Sequence, residues 1–462
     1  MILVSACIWG VAVLACIWTA TEYIWALRLL ILGLALGTSI NLFRSRCELV
    51  FLTPGYLLGF ITLIFYGVAP ALYLSLLPNS LPYIMFQGGE THNLTKGYVN
   101  SLGELFILQF SAMCFLVTNF ISQIHRDRII KFGQSIKIEL APNIWKIAIA
   151  LTILFTCAYA GTRLPSTQHL FSNLIGQEFH HALTPSLSIS LVFLAFSALN
   201  QPTRIQAILF TVFAACLGTM VAIDLAATPT LIALSGVLLF FVLRRYAFKR
   251  FAAMALVSIA IAVSAVAISA IKGRPIHVDQ TKFPIVEYGL AKLTSKFVLR
   301  QGVSGFCLNN IIVHDLGPKD QSPLYFLSAI VPRFIWPEKP ILSLGSQFAE
   351  SYCHQGQAYR LKHSESITLL GEPLIRSSIF GLLTAQLAVF LICYMVAFGG
   401  LSGNVINLLV LTALLPWLIP FEQHFAQYIG NIFKSALVIL PFAGVLYLCR
   451  FHIWSQRDHR SL

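Results

Sequence analysis

Apolar runs of about twenty residues, the length that crosses roughly 30 Å of hydrocarbon, recur along this chain from one end to the other. They fall near 2–19, 24–43, 56–77, 103–123, 144–161, 184–199, 205–224, 227–243, 251–271, 376–398, 403–420 and 430–450. The sixth and eighth are short. Of 462 residues, 57% are hydrophobic and only 11% charged, against about 25% charged in soluble domains. Such a chain lacks the polar surface to cover a globule in water. The reading is an all-α polytopic membrane protein of about twelve transmembrane helices. Residues 1–18 lack a basic leading stretch and an evident cleavage site, so they read as a retained first helix.

The net charge of +13 does not point to nucleic acid, because the basic residues sit in short clusters between apolar blocks with no basic domain or aromatic-basic motif. Arg44 and Arg46, then Arg126, Arg128, Lys131 and Lys137, then Arg204, then Arg244, Arg245, Lys249 and Arg250, then Arg450, Arg457 and Arg460 follow alternate blocks. The intervening connections carry Glu22, Lys96, Arg163, Asp224 and Glu422 and little else that is charged. By the positive-inside rule both termini are cytoplasmic and odd-numbered helices exit outward. The chain then divides into helices one to nine (1–271), an extracytoplasmic loop (272–375) between helices nine and ten, and helices ten to twelve with a cytoplasmic tail (376–462). A loop of that length in a compact protein is usually functional.

Within the loop, residues 285–299 place apolar side chains at helical spacing, and 323–336 is apolar, aromatic and too short to cross. In the run Val331-Pro332-Arg333-Phe334-Ile335-Trp336-Pro337-Glu338-Lys339-Pro340, three prolines forbid a continuous helix. Arg333 and Lys339 are then held beside the headgroup layer, where a guanidinium can clasp phosphate in bidentate fashion. An aromatic-basic interface anchor is the competing reading. Lys272 and Arg274 at the loop's start, and Arg300, either face a diphosphate or snorkel. Arg360 and Arg376 extend the basic set. Glu372 either serves as a partly desolvated general base or is a helix N-terminal acid; Glu365 and His363 stand nearby in sequence. His354 and His363 have no third ligand at zinc spacing, so no metal is expected. Cys307 and Cys353 share the loop, which leaves a disulfide open as one reading. Glu104, Asp224 and His424 are peripheral to the apolar blocks, which argues against a proton-driven transporter.

The run Pro332–Pro340, followed by Gly345, Phe348 and Tyr352, resembles the bacterial oligosaccharide repeat-unit polymerases (O-antigen polymerase, Wzy-type). Ser366-Ile367-Thr368 with Leu370-Gly371-Glu372 is similar to that family's stretch leading into the next helix. Leu52-Thr53-Pro54-Gly55-Tyr56 with Phe65-Tyr66-Gly67-Val68-Ala69-Pro70 is similar to its N-terminal part. The resemblance is specific in about thirty residues and otherwise rests on helix count and loop placement. It implies a GT-C-like fold in a bacterial inner membrane and an inverting, metal-independent glycosyl transfer without cofactor. Donor and acceptor would both be undecaprenyl-diphosphate-linked oligosaccharides met at the periplasmic face, with a polysaccharide chain-length regulator as partner. It puts Arg333, and with it Lys339, Lys272, Arg274, Arg300, Arg360 and Arg376, near the diphosphate, and Glu372, Glu365 or His363 at the acceptor hydroxyl. The loop after the fifth block holds only Arg163, short of a second Arg-rich loop, and no base carries over by motif. A lipid-linked glycan ligase of the same fold and a lipid-linked oligosaccharide flippase are the alternatives.

Overall fold

A computed structural model describes residues 1–76, 88–135, 144–163, 180–198, 203–223, 298, 300–314, 322–331, 336, 338, 345–353 and 368–458. Among these there is no strand. The first half holds α1 (Ile2–Ile17), α2 (Ile24–Arg44), α3 (Pro54–Ile61), α4 (Ala69–Leu76), α5 (Gly88–Tyr98), α6 (Leu102–Ile124), α7 (Arg126–Ser135), α8 (Ile144–Arg163), α9 (His180–Ala198) and α10 (Thr203–Ile223). A π-helical stretch, Thr62–Val68, makes α3 and α4 one continuous rod. The second half holds α11 (Arg300–His314), α12 (Gly345–Tyr352), α13 (Thr368–Gly400), α14 (Val405–Leu418) and α15 (Phe425–Asp458).

Among the described residues, six helical rods are long and apolar enough to cross a membrane: Thr21–Arg44, Pro54–Ser75, Leu102–Ile124, Trp145–Thr162, Thr368–Gly400 and Phe425–Val445. Four shorter apolar helices accompany them, within α1, α9, α10 and α14. Ten of the apolar blocks thus coincide with helices; those at 227–243 and 251–271 lie outside the described residues. Helix α13 starts at Thr368 instead of near 376, because a separate helical segment precedes a kink. Ser377 and Ser378 have non-helical backbone angles there, Ser378 with φ 55°, and Pro373 lacks the N–H that would continue the ladder.

Helix α6 is the hub. Its apolar window is 83% buried, against 33–50% in the other five spans. Polar side chains along it are paired to neighbouring helices, as a dry environment demands. Asn119 Nδ2 donates to Ser5 Oγ (2.8 Å) on α1 and Thr38 Oγ1 (2.9 Å) on α2. Gln109 and Gln386 exchange reciprocal amide hydrogen bonds of 3.3 and 2.7 Å between α6 and α13.

The bundle has two chemically different ends. At one, Arg28 near the start of α2 bonds Glu104 near the start of α6 through Nε (2.5 Å) and Nη2 (2.6 Å), and both side chains are buried or nearly so. Glu372 and Glu422 lie at this acidic end too. At the other, Arg128 of α7 donates to the Ser402 carbonyl (3.0 Å) in the α13–α14 turn, and Arg44 and Arg126 belong to the same end. The carboxylates at the first end are each paired to an arginine.

The segment expected as an outer loop is partly inside the bundle. Helix α11 packs against α5, α6 and α13, and Val303, Cys307, Leu308, Ile311 and Ile312 are buried. Gly103 and Gly305 permit this approach. A Cβ on Gly103 would meet the Gly305 carbonyl oxygen at 2.7 Å and the Asn309 nitrogen at 2.8 Å, and one on Gly305 would run into the Tyr98 ring. Both obstacles beside Gly103 are backbone and cannot swing away. Gly103→Ala is expected to destabilise the protein by about 1–3 kcal/mol in thermal unfolding of the purified protein. Gly10→Ala, where nothing lies within 4 Å, should be neutral or slightly stabilising.

Candidate functional site

The acidic end is assembled from the start of α11, the 3₁₀ turn Tyr325–Ala329, α12, the first turns of α13 and the short connection Ile419–His424 ahead of α15. Backbone and carboxylate bonds stitch these together. The Leu369 N–H donates to the Phe421 carbonyl (2.9 Å). One Glu372 oxygen accepts from the Ala426 N–H (3.0 Å) and the other from Arg376 Nε (2.9 Å). Glu372 is fully buried, so its carboxylate both caps the N-terminus of α15, where the helix dipole favours a negative charge, and neutralises Arg376. The Arg376 guanidinium lies 5.0 Å from the centre of the Tyr325 ring, a cation–π contact.

A second pair lies beside it. Arg300 Nε meets a Glu422 oxygen at 3.1 Å, and Gln301 Nε2 donates to the other oxygen at 2.5 Å. The Arg300 side chain is 51% exposed, the Arg376 side chain 10%. Arg300 is thus the cation of this cluster that an incoming anion can reach, and Arg376 is held within it.

Several buried polar atoms here make no hydrogen bond: the Tyr66 and Tyr325 hydroxyls, Gln301 Oε1, Ser304 Oγ and His424 Nδ1. Tyr325 is close enough to Glu372 for its charge to matter, without a well-formed hydrogen bond; burial, and secondarily that charge, push its hydroxyl above the usual tyrosine range. His424 stacks on Phe348 at 5.1 Å between ring centroids. Burial, and then the positive charge of Arg376, bring its pKa down to about 4. The site therefore holds a neutral imidazole at pH 7.

Helices α11 and α12 are joined by a disulfide between Cys307 and Cys353, with Cα atoms 4.8 Å apart, and by the Asn310 amide donating to the Tyr352 carbonyl (2.7 Å). This is the pairing the sequence left open. No group of three or more His, Cys, Asp or Glu suited to a metal ion occurs among the described residues.

Of the residues singled out in the sequence, the structure brings Glu372, Arg376 and Arg300 into one cluster. Lys272, Arg274, Arg333, Lys339, Arg360, His363 and Glu365 lie outside the described residues, as does most of 285–299. Trp336 and Glu338 are exposed. Sequence reasoning set aside His424 as peripheral, took Glu422 only as the charge of a connection, and did not single out Tyr325. The signal for the first two was a short connection, Pro420-Phe421-Glu422-Gln423-His424-Phe425, that keeps an acid and an imidazole between aromatic residues. No family model, curated protein or solved structure matches this chain.

Two outcomes follow. Glu372→Ala leaves Arg376 buried without its counter-charge and the start of α15 uncapped, and should cost about 3–5 kcal/mol in denaturant or thermal unfolding, with Glu372→Gln milder. His424 has a folded-state pKa below its ordinary 6.5, so the unfolded chain binds the extra proton between about pH 6.5 and 4. Its contribution to stability is complete above pH 6.5 and declines as the pH falls through that window. His424→Phe, which keeps the stack on Phe348, should flatten that part of the stability–pH curve; an unchanged curve would show that the imidazole is not the group titrating.

Proposed function

We propose that this chain is a twelve-span, GT-C-like glycosyltransferase of the bacterial inner membrane that polymerises undecaprenyl-diphosphate-linked oligosaccharide repeat units. Both termini lie in the cytoplasm and the acidic end faces the periplasm. Donor and acceptor are both lipid-linked and approach within the membrane plane, and a chain-length regulator acts alongside. The observation that carries the reading is the half-exposed Arg300 at the edge of an otherwise buried ionic cluster. Of the residues at this end, Glu372, Phe348 and Tyr66 belong to the segments that resemble the repeat-unit polymerases.

The chemistry fits this placement. Displacing a lipid diphosphate from a sugar develops negative charge on the leaving oxygens, and guanidinium or ammonium groups fixed nearby stabilise it. Arg300 takes that role together with Arg333 and Lys339, with Lys272, Arg274 and Arg360 completing the basic set. Arg376 is occupied by Glu372 and by the Tyr325 ring, so it supports the site from within. Both Glu372 oxygens are engaged, which makes Glu372 a positioning group and leaves Glu365 and His363 as the acceptors of the hydroxyl proton. The disulfide bracing α11 and α12 suits an oxidising compartment.

Purified protein given the undecaprenyl-diphosphate repeat unit should yield a ladder of chain lengths on a gel. Arg333→Ala and Arg300→Ala should each lower the initial rate about 10²–10³-fold, as removal of one charge-stabilising donor does. Single transfer only after addition of a lipid A core acceptor would make the protein a ligase. Failure of transfer to every acceptor by folded protein would overturn the glycosyltransferase reading in favour of a flippase.

A further inference from the structure

The basic end of the bundle carries a pocket that the proposed reaction does not use. Immediately after α6 the chain turns into α7, an amphipathic helix. Its Ile129 and Phe132 are buried in the core while Arg126, Arg128 and Lys131 are exposed. Between α7 and the α13–α14 turn lies an open surface depression of about 470 Å³ lined by Arg128, Lys131, Phe132 and Gly403. Gly403, with φ +92°, has nothing within 4 Å of where a Cβ would stand, so the turn leaves the depression open. Neither Arg128 nor Lys131 meets a carboxylate among the described residues. The adjacent Asp127 does not pair with them either. Two cations converge on one depression without a counter-ion among the described residues.

The apolar surroundings specify what kind of anion fits. Arg128 sits over the Phe398 ring, 4.9 Å from its centre. Phe398 ends a stripe of exposed side chains running down α13: Leu383, Leu387, Leu391 and Met395, each three or four residues from the next and therefore on one helix face. An exposed apolar stripe on a membrane helix faces acyl chains. This one leads directly to the basic depression at the interface. Basic pockets between helices at a membrane interface are head-group sites. A soluble phosphate would use the cations and have no use for the stripe.

We propose that this pocket binds the phosphodiester head group of an anionic phospholipid, with Arg128 and Lys131 on the phosphate and an acyl chain laid along the Leu383–Phe398 face of α13. The proposal does not depend on the glycosyltransferase reading. Arg128 also holds the Ser402 carbonyl, so a bound lipid would fasten α7 to the α13–α14 turn.

The full-length protein can be placed in nanodiscs of phosphatidylglycerol or of phosphatidylcholine and the lipid retained after detergent exchange counted by native mass spectrometry. One phosphatidylglycerol should remain and phosphatidylcholine should not. Lys131→Ala, whose exposed side chain makes no hydrogen bond or ion pair among the described residues, should weaken retention about fivefold, and Arg128→Gln with Lys131→Ala about thirtyfold. Equal retention of the two lipids, or equal retention by wild type and Lys131→Ala, would overturn the proposal. So would inorganic phosphate binding alone and displacing the lipid completely, which would make the depression a soluble-anion site.

Discussion

In hydrocarbon a polar group has no water to fall back on, and each one left unpaired costs several kcal/mol. The architecture follows from that constraint. Backbone groups are satisfied within helices, and side-chain amides find each other across them, as Gln109 and Gln386 do. Where helices must begin inside the bundle, something has to meet their first N–H groups. At α15 that is the Glu372 carboxylate, delivered from α13 to the Ala426 N–H. A single acid thus fixes the start of one helix relative to another. Arg376, Tyr325 and His424 take their places around it.

The bundle was largely legible in the sequence because a transmembrane helix is written in consecutive residues. Length and apolarity located the apolar helices, but not α5, α7, α11 or α12. The alternation of Lys and Arg anticipated that Arg44, Arg126 and Arg128 would share one end, opposite Glu104, Glu372 and Glu422. What failed to show was anything set by contacts between distant segments. Helix α11 looks from its sequence like part of a solvent-side loop, with Arg300, Gln301, Asn309 and Asn310 breaking its apolar pattern. It is buried because those polar groups have partners on other elements: Glu422 for Gln301, the Gly103 N–H for Asn309, the Tyr352 carbonyl for Asn310.

The candidate site was legible in part for the same reason. Glu372, Arg376 and Arg300 stand out as charges beside apolar blocks. Nothing in their spacing told which would be buried and which exposed. Burial decides their chemistry. Arg376, enclosed and paired, has its charge committed, whereas Arg300 keeps half its surface in reach of solvent. His424 looked peripheral because it lies ahead of the apolar block at 430–450, yet its imidazole is buried, stacked on Phe348 and close to the Arg376 charge. Position along a membrane helix gives depth, but only packing gives accessibility.

The bridge between Cys307 and Cys353 has a topological meaning beyond fastening two helices. It closes a covalent ring around the intervening chain, separated by 46 positions in sequence, and the proline-punctuated run Val331–Pro340 lies within that ring. The bridge fixes the two ends of that stretch to each other and so lowers the conformational entropy of the cross-linked unfolded chain. A protease cut between the two cysteines would open the ring without detaching either half, so the nicked chain would stay in a single covalent piece for as long as the sulfurs remained oxidised.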